Sequence, residues 1–121
     1  MILKALSLIA CTVPLTVMAA SAQTSNDDLW NSGSVFAAGI QCETNGHMRE
    51  GQVMPLMVAF LKRAAPAAAQ SFRYGYQEGM KRTAIYSQAR SGWFPYPQTG
   101  SGCSLIQKAI NQYKIANDAL Q

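Results

Sequence analysis

Few residues in this chain could do chemistry, and their spacing limits them further. His47 is the only histidine among 121 residues. A Ser-His-Asp relay would have to use it, yet no Gly-x-Ser-x-Gly nucleophile elbow accompanies the glycine-bounded turn around it. A secreted phospholipase of this size needs a His-Asp pair beside a calcium loop, and here Met48 follows the histidine. Glu78 is the one acid in the middle of a helical stretch. Lys81 and Arg82 stand one turn on, which fits a surface ion pair better than the raised acid of a glycosidase. The soft set His47, Met48, Met54 and Met57 could in principle hold Cu(I). Met54 and Met57, however, fall on an apolar helical stripe, where thioethers serve as adaptable core filling. The expectation is a protein that is not an enzyme, with no metal site and no cofactor.

The cysteines are more informative. Residues 1–22 have the form of a cleaved signal peptide: Lys4, then an apolar run broken by Pro14, then the small-x-small site Ala20-Ser21-Ala22. The run is too short for a permanent span, which needs about 20 apolar residues. Cutting there leaves Cys42 and Cys103 in an oxidising compartment, where two thiols become one disulfide. The competing reading is a lipoprotein leader ending in Leu8-Ile9-Ala10-Cys11, and membrane association is expected only if Cys11 carries lipid. The short apolar stretch before Cys11 and the apolar residues after it favour soluble export, to the periplasm or beyond. Residues 23–121 are then enough for one small domain.

Four helices are needed to position these groups. Asn26-Asp27-Asp28 form an N-terminal cap with acids suited to the helix dipole, and the first helix runs on to Cys42. The second opens near Met54-Pro55 and carries the stripe Val53, Met54, Leu56, Met57, Phe60, Leu61 and Ala64. The third follows Pro66 and extends from Ala67 to about Arg90. Trp93-Phe94-Pro95-Tyr96-Pro97 is held extended by its prolines, and residues 98–102 form a loop. The fourth opens near Cys103-Ser104 and repeats Leu105, Ile106, Ala109, Ile110 and Tyr113 on one face. No segment shows sustained strand alternation. The fold class is therefore all-α, a small four-helix domain with one disulfide tying the outer helices around the middle pair.

The full-length net charge is +4. Lys62, Arg63, Arg73, Lys81, Arg82 and Arg90 crowd the central third, with Glu78 the only acid among them. Such a face is either a solvated helix side or a surface for an anionic partner. Gly75 and Gly79 each cost about 1 kcal/mol relative to Ala inside a helix. Close helix packing, against the first helix with its Gly33 and Gly39, would account for them. The run Gly75-Tyr76-x-x-Gly79 is similar to the Gly-Tyr-x-x-Gly stretch of the exported Tai immunity proteins, which are disulfide-bonded helical domains that neutralise peptidoglycan-cleaving toxins. The likeness covers those three residues and, weakly, Cys103 before a helix; Arg73 and Arg82 stand where that family has cysteine and aspartate.

Candidate binding residues are Arg73, Tyr74, Tyr76, Lys81, Arg82, Trp93, Phe94 and Tyr96, combining charge with the aromatic side chains that anchor interfaces; packed inward, Trp93, Phe94 and Tyr96 would instead roof the helical core, the reading the segment favours. The expected function is a small exported, non-enzymatic binding protein of the bacterial envelope, such as an inhibitor or immunity factor. Its expected partner is another envelope or secreted protein with an acidic surface, and no nucleic acid. The alternatives are a periplasmic stress chaperone and a binder of anionic envelope components.

Overall fold

A computed structural model describes residues 25–120. The leader assigned to residues 1–22, with Cys11, lies outside the described residues. The elements follow the order α1 (Asn26–Thr44), α2 (Val53–Arg63), α3 (Pro66–Arg82), β1 (Ala84–Ser87), β2 (Gly92–Pro95) and α4 (Gly100–Ala119). The fold is mostly helical, with a short antiparallel hairpin inserted between the last two helices.

The N-cap of α1 is Ser25, one residue earlier than expected; its hydroxyl accepts the Asp28 N–H at 3.2 Å. Asn26 instead accepts a hydrogen bond from the Ser71 hydroxyl at the start of α3. The first helix is also not an outer element. Every residue from Ser32 to Gly39 is buried. That stretch is Ser-Gly-Ser-Val-Phe-Ala-Ala-Gly, small enough to let neighbours approach from every side, so α1 is the axis of the fold. The spacing of Leu29, Phe36 and Ile40 marked one apolar stripe and concealed this all-round burial.

Crossing by α3 is closest where both helices lack side chains. A Cβ on Gly75 would sit 2.5 Å from the Trp30 carbonyl oxygen, and one on Gly79 would sit 2.8 Å from the Ser34 Cα. A Cβ on Gly33 would strike the Phe72 carbonyl and lie 2.7 Å from the Tyr76 nitrogen. These contacts are backbone to backbone, so no rotamer change could relieve an added methyl.

The second helix has no cap of its own. Gln52, before Val53, makes no side-chain capping bond. The Glu43 carboxylate at the end of α1 does that work from a distance. Its Oε2 accepts the N–H groups of Gln52 and Val53, each at 3.0 Å, and its Oε1 accepts that of Gly51 at 3.1 Å. These are among the donors that every helix N-terminus leaves unsatisfied. The turn between them is permitted by positive φ at Gly46 and Gly51.

The third helix is shorter than the Ala67–Arg90 span predicted. It stops at Arg82 because Thr83 adopts the left-handed conformation at φ 53° and returns its N–H to the Gly79 carbonyl. The next residues alternate over only four positions, Ala84–Ser87, too few to register as a strand pattern. They pair with Gly92–Pro95 in the register Ile85↔Phe94 and Tyr86↔Trp93. An isolated two-stranded hairpin is marginal in water. This one is fastened to α1: Ser34 Oγ accepts the Tyr86 N–H at 3.0 Å, and Asn31 Nδ2 donates to the Tyr86 carbonyl at 2.8 Å.

The fourth helix begins at Gly100, capped by Thr99, three residues before the expected start and within the predicted loop. Cys42 and Cys103 form a disulfide across 61 residues with Cα atoms 5.8 Å apart. A loop of that size disfavours the unfolded chain by about 4 kcal/mol in the chain-entropy model. The core beneath is built on Leu29, Phe36, Val53, Phe72 and Ile110. Phe36 meets Phe72 and Tyr113 edge-on at 5.3 and 5.0 Å. Two stripe residues were misplaced: Met54 is 47% exposed and Leu105 66% exposed, because α2 and α4 each bury a narrower face than their apolar spacing suggests.

Candidate functional site

The α1–α3 contact decides what stands on the surface above it. With no side chains between the helices, Trp30 of α1 comes against Tyr74 of α3, ring centroids 5.1 Å apart. The hairpin bonds to Asn31 and Ser34 of the same helix, bringing Tyr86 edge-on to Trp30 at 5.3 Å. Across the hairpin, Trp93 is the strand partner of Tyr86 and meets it at 5.3 Å. Four rings from four elements (α3, α1, β1 and β2) thus form a continuous row: Tyr74, Trp30, Tyr86, Trp93. Each such pair contributes roughly 0.5–1.5 kcal/mol beyond the area it buries.

A cationic end completes the row. The Arg82 guanidinium lies over the Trp93 ring, 5.0 Å from its centroid, and its Nε donates to Glu78 Oε1 at 2.9 Å. Lys81 reaches the other carboxylate oxygen at 3.3 Å. Tyr74, Glu78 and Arg82 recur every four residues, so they share one face of α3. The hydrogen bond from Arg82, and then Lys81, hold the Glu78 carboxyl below its usual range. Glu78 therefore remains charged and orders both cations. Its side chain is 16% exposed, against 46% for Arg82 and 73% for Lys81, so a partner would meet positive charge first. The centre of the row is anchored, with Tyr86 buried, while Tyr74 is exposed at one end. Arg73, also exposed, is next to Tyr74 in the chain.

The sequence candidates therefore divide. Arg73, Tyr74, Lys81, Arg82 and Trp93 belong to this face or its border. Phe94 points to the other side of the pleat with Ile85, and the Arg90 guanidinium lies 3.8 Å above its ring centroid. Tyr76 packs on the core, and Tyr96 donates its hydroxyl to the Gln41 side chain; burial pushes both phenols up. Gln41 in turn donates to the Met80 carbonyl, so Tyr96 pins the chain after β2 to α1 and α3. Trp30 and Tyr86 were missed. Trp30 lies 44 residues before Tyr74, and only the glycine crossing makes them neighbours. Its type, as one of just two tryptophans, was the available signal.

His47 is exposed in the turn after α1, where its N–H donates to the Cys42 carbonyl at 2.8 Å. Among the described residues no group of three His, Cys, Asp or Glu side chains is placed to hold a metal ion. No helix among them is long and apolar enough to cross a membrane. No protein-family model matches the sequence, and neither the curated proteins nor the solved structures contain a significant match.

Proposed function

We propose that this is a small exported, non-enzymatic binding protein, with the row Tyr74–Trp30–Tyr86–Trp93 and its Lys81/Arg82 end as the contact surface. The partner is an envelope or secreted protein with an acidic patch. The observation that carries the reading is the cation-tipped aromatic row itself. Tyr, Trp and Arg are the side chains most enriched where a few residues supply most of the binding energy. The exposed ammonium and guanidinium would steer an acidic surface towards them. The Cys42–Cys103 disulfide fits a protein working in an oxidising compartment.

The test is comparative pull-down from periplasmic extract with the wild type, with Arg73→Glu/Lys81→Glu, and with Trp93→Ala, each checked for native circular dichroism. Arg82 is left in place because it braces Glu78 and Trp93. The expected result is a partner retained by the wild type and lost, with a salt-sensitive dependence, by both variants. Recovery of the same proteins in equal amounts by all three forms would remove the proposal.

A further inference from the structure

A second surface runs along α2. Met54, Val58 and Lys62 recur every four residues and share one line of the helix, with Pro55 and Ala59 beside it. Met54 and Val58 are each 47% exposed, so their hydrocarbon stands out from the fold instead of filling it. Next to this crest an open groove separates α2 from α4, lined by Pro55, Ala59 and Ile110. The two helices are pinned side by side at both ends of the groove. Gln52 and Gln107 exchange side-chain bonds at 2.9 and 3.1 Å, and Arg63 donates to Asn117. Charge surrounds the hydrocarbon. Arg49, Lys62, Arg63 and Lys114 stand exposed around the crest and the groove, against the acids Asp118 and Glu50. Helix α2 itself contains no acid. Among the described residues the ion pairs belong to Glu78, so none of these four cations is paired. No aromatic ring lines the crest or the groove.

We propose that this surface rests on an anionic phospholipid membrane. Met54 and Val58 dip among the acyl chains, and Arg49, Lys62, Arg63 and Lys114 lie against the phosphates. Charge complementarity selects this occupant, because unpaired cations beside exposed hydrocarbon match a layer of phosphate above acyl chain. Lys62, one turn beyond Val58, lays its methylene stem along the apolar surface and keeps its ammonium at head-group depth. A protein partner fits less well, since the anchors of protein interfaces are chiefly Trp, Tyr and Arg, with Val under-represented. Contact through two aliphatic side chains is shallow, in keeping with the lack of a membrane-crossing helix among the described residues. The association needs no lipid on Cys11. It uses none of the residues of the aromatic row, so it stands whether or not that row binds a protein.

The test is co-sedimentation of the purified, oxidised protein with vesicles of phosphatidylglycerol and phosphatidylethanolamine, and with vesicles of phosphatidylcholine alone. Every variant is first checked for native circular dichroism. The anionic vesicles are expected to retain the protein, less so as salt is raised, and the neutral ones to leave it in solution. Each cation at an anionic surface contributes about fivefold in binding, so Lys62→Gln/Lys114→Gln should weaken retention by about 25-fold. Met54→Ser/Val58→Ser should weaken it by about tenfold. Arg90→Gln removes a charge from the hairpin, which packs on α1 and α3, and should stay within about twofold of wild type. The proposal is overturned if anionic vesicles at about 1 mM lipid retain no protein, or if phosphatidylcholine retains it equally. It also falls if either double variant binds as the wild type does, or if Arg90→Gln weakens binding as much as Lys114→Gln alone. Tighter binding to polyglutamate than to the vesicles, lost in the lysine pair, would assign the face to an acidic protein and overturn the proposal.

Discussion

Replacing Glu43 by Ala removes a carboxylate that is 7% exposed and accepts three backbone N–H bonds from the residues opening α2. Val53, the innermost donor, is fully buried, so water cannot readily replace the lost acceptor there. An orphaned buried donor costs about 1–3 kcal/mol, and bonds to a charged acceptor lie at the upper end. Gly51 is exposed and would be rehydrated, which leaves two donors to count and a total of about 3 kcal/mol. Glu43→Gln keeps one oxygen for Gln52 and Val53 but accepts as a neutral group instead of a charged one, which costs about 1 kcal/mol. At about 4–8 °C per kcal/mol for a domain of this size, the alanine variant should melt roughly 12–24 °C lower, and the glutamine variant roughly 4–8 °C lower. Urea unfolding of the oxidised protein, followed by the fluorescence of Trp30 and Trp93, measures both. Hydrogen exchange at the Val53 amide should accelerate in the alanine variant well before global unfolding. If Glu43→Ala lies within about 0.5 kcal/mol of wild type, the remote cap contributes nothing and the reasoning fails.

Gly75→Ala gains about 1 kcal/mol of helix propensity yet should destabilise by about 2 kcal/mol or more, since its methyl meets the rigid Trp30 backbone. The same change at Gly100, where an added Cβ meets nothing, should be near neutral, and equal melting temperatures for the two variants would contradict the close crossing. The third prediction concerns alkaline pH. Burial raises the Tyr113, Tyr96 and Tyr76 phenols above 10.0 in the folded protein, so the native state holds protons that the unfolded chain releases. Stability from these groups should therefore be complete below about pH 10 and decline as pH climbs through their folded values. Urea midpoints that stay level from about pH 9 to about pH 11.5 would refute that linkage.

The four helices and the disulfide were legible in the sequence because each rests on a local signal: acids at a first turn, Pro66 at an opening, two cysteines beyond residue 22. The hairpin was not legible. Its onset depends on Thr83 entering the left-handed region, which a β-branched residue rarely does, and nothing in Lys81-Arg82-Thr83-Ala84 announces it. Proline restriction did mark the second strand as extended, but it has no bearing on what would pair with it. The candidate face was half legible. Residues on α3 could be grouped by spacing, whereas Trp30 and Tyr86 join them only through a tertiary contact made of absent side chains. The Glu43 cap was invisible for the same reason: its partners are backbone groups eight to ten residues on, which leave no trace in residue type.

The disulfide has a mechanical consequence. Cys42 and Cys103 are joined near the inner end of α1 and in the first turn of α4, so α2, α3 and the hairpin lie inside the closed loop. Tension applied to the two ends of the described chain passes through the sulfur bridge and bypasses that loop entirely. Only residues 25–42 and 103–120, eighteen on each side, can be drawn out, about 120 Å at ~3.4 Å per residue. Pulling would strip the central helix from its sleeve while the remaining 60 residues stay tethered as a knotless bead. A partner that tugs on either terminus therefore meets a molecule with a fixed limit of extension.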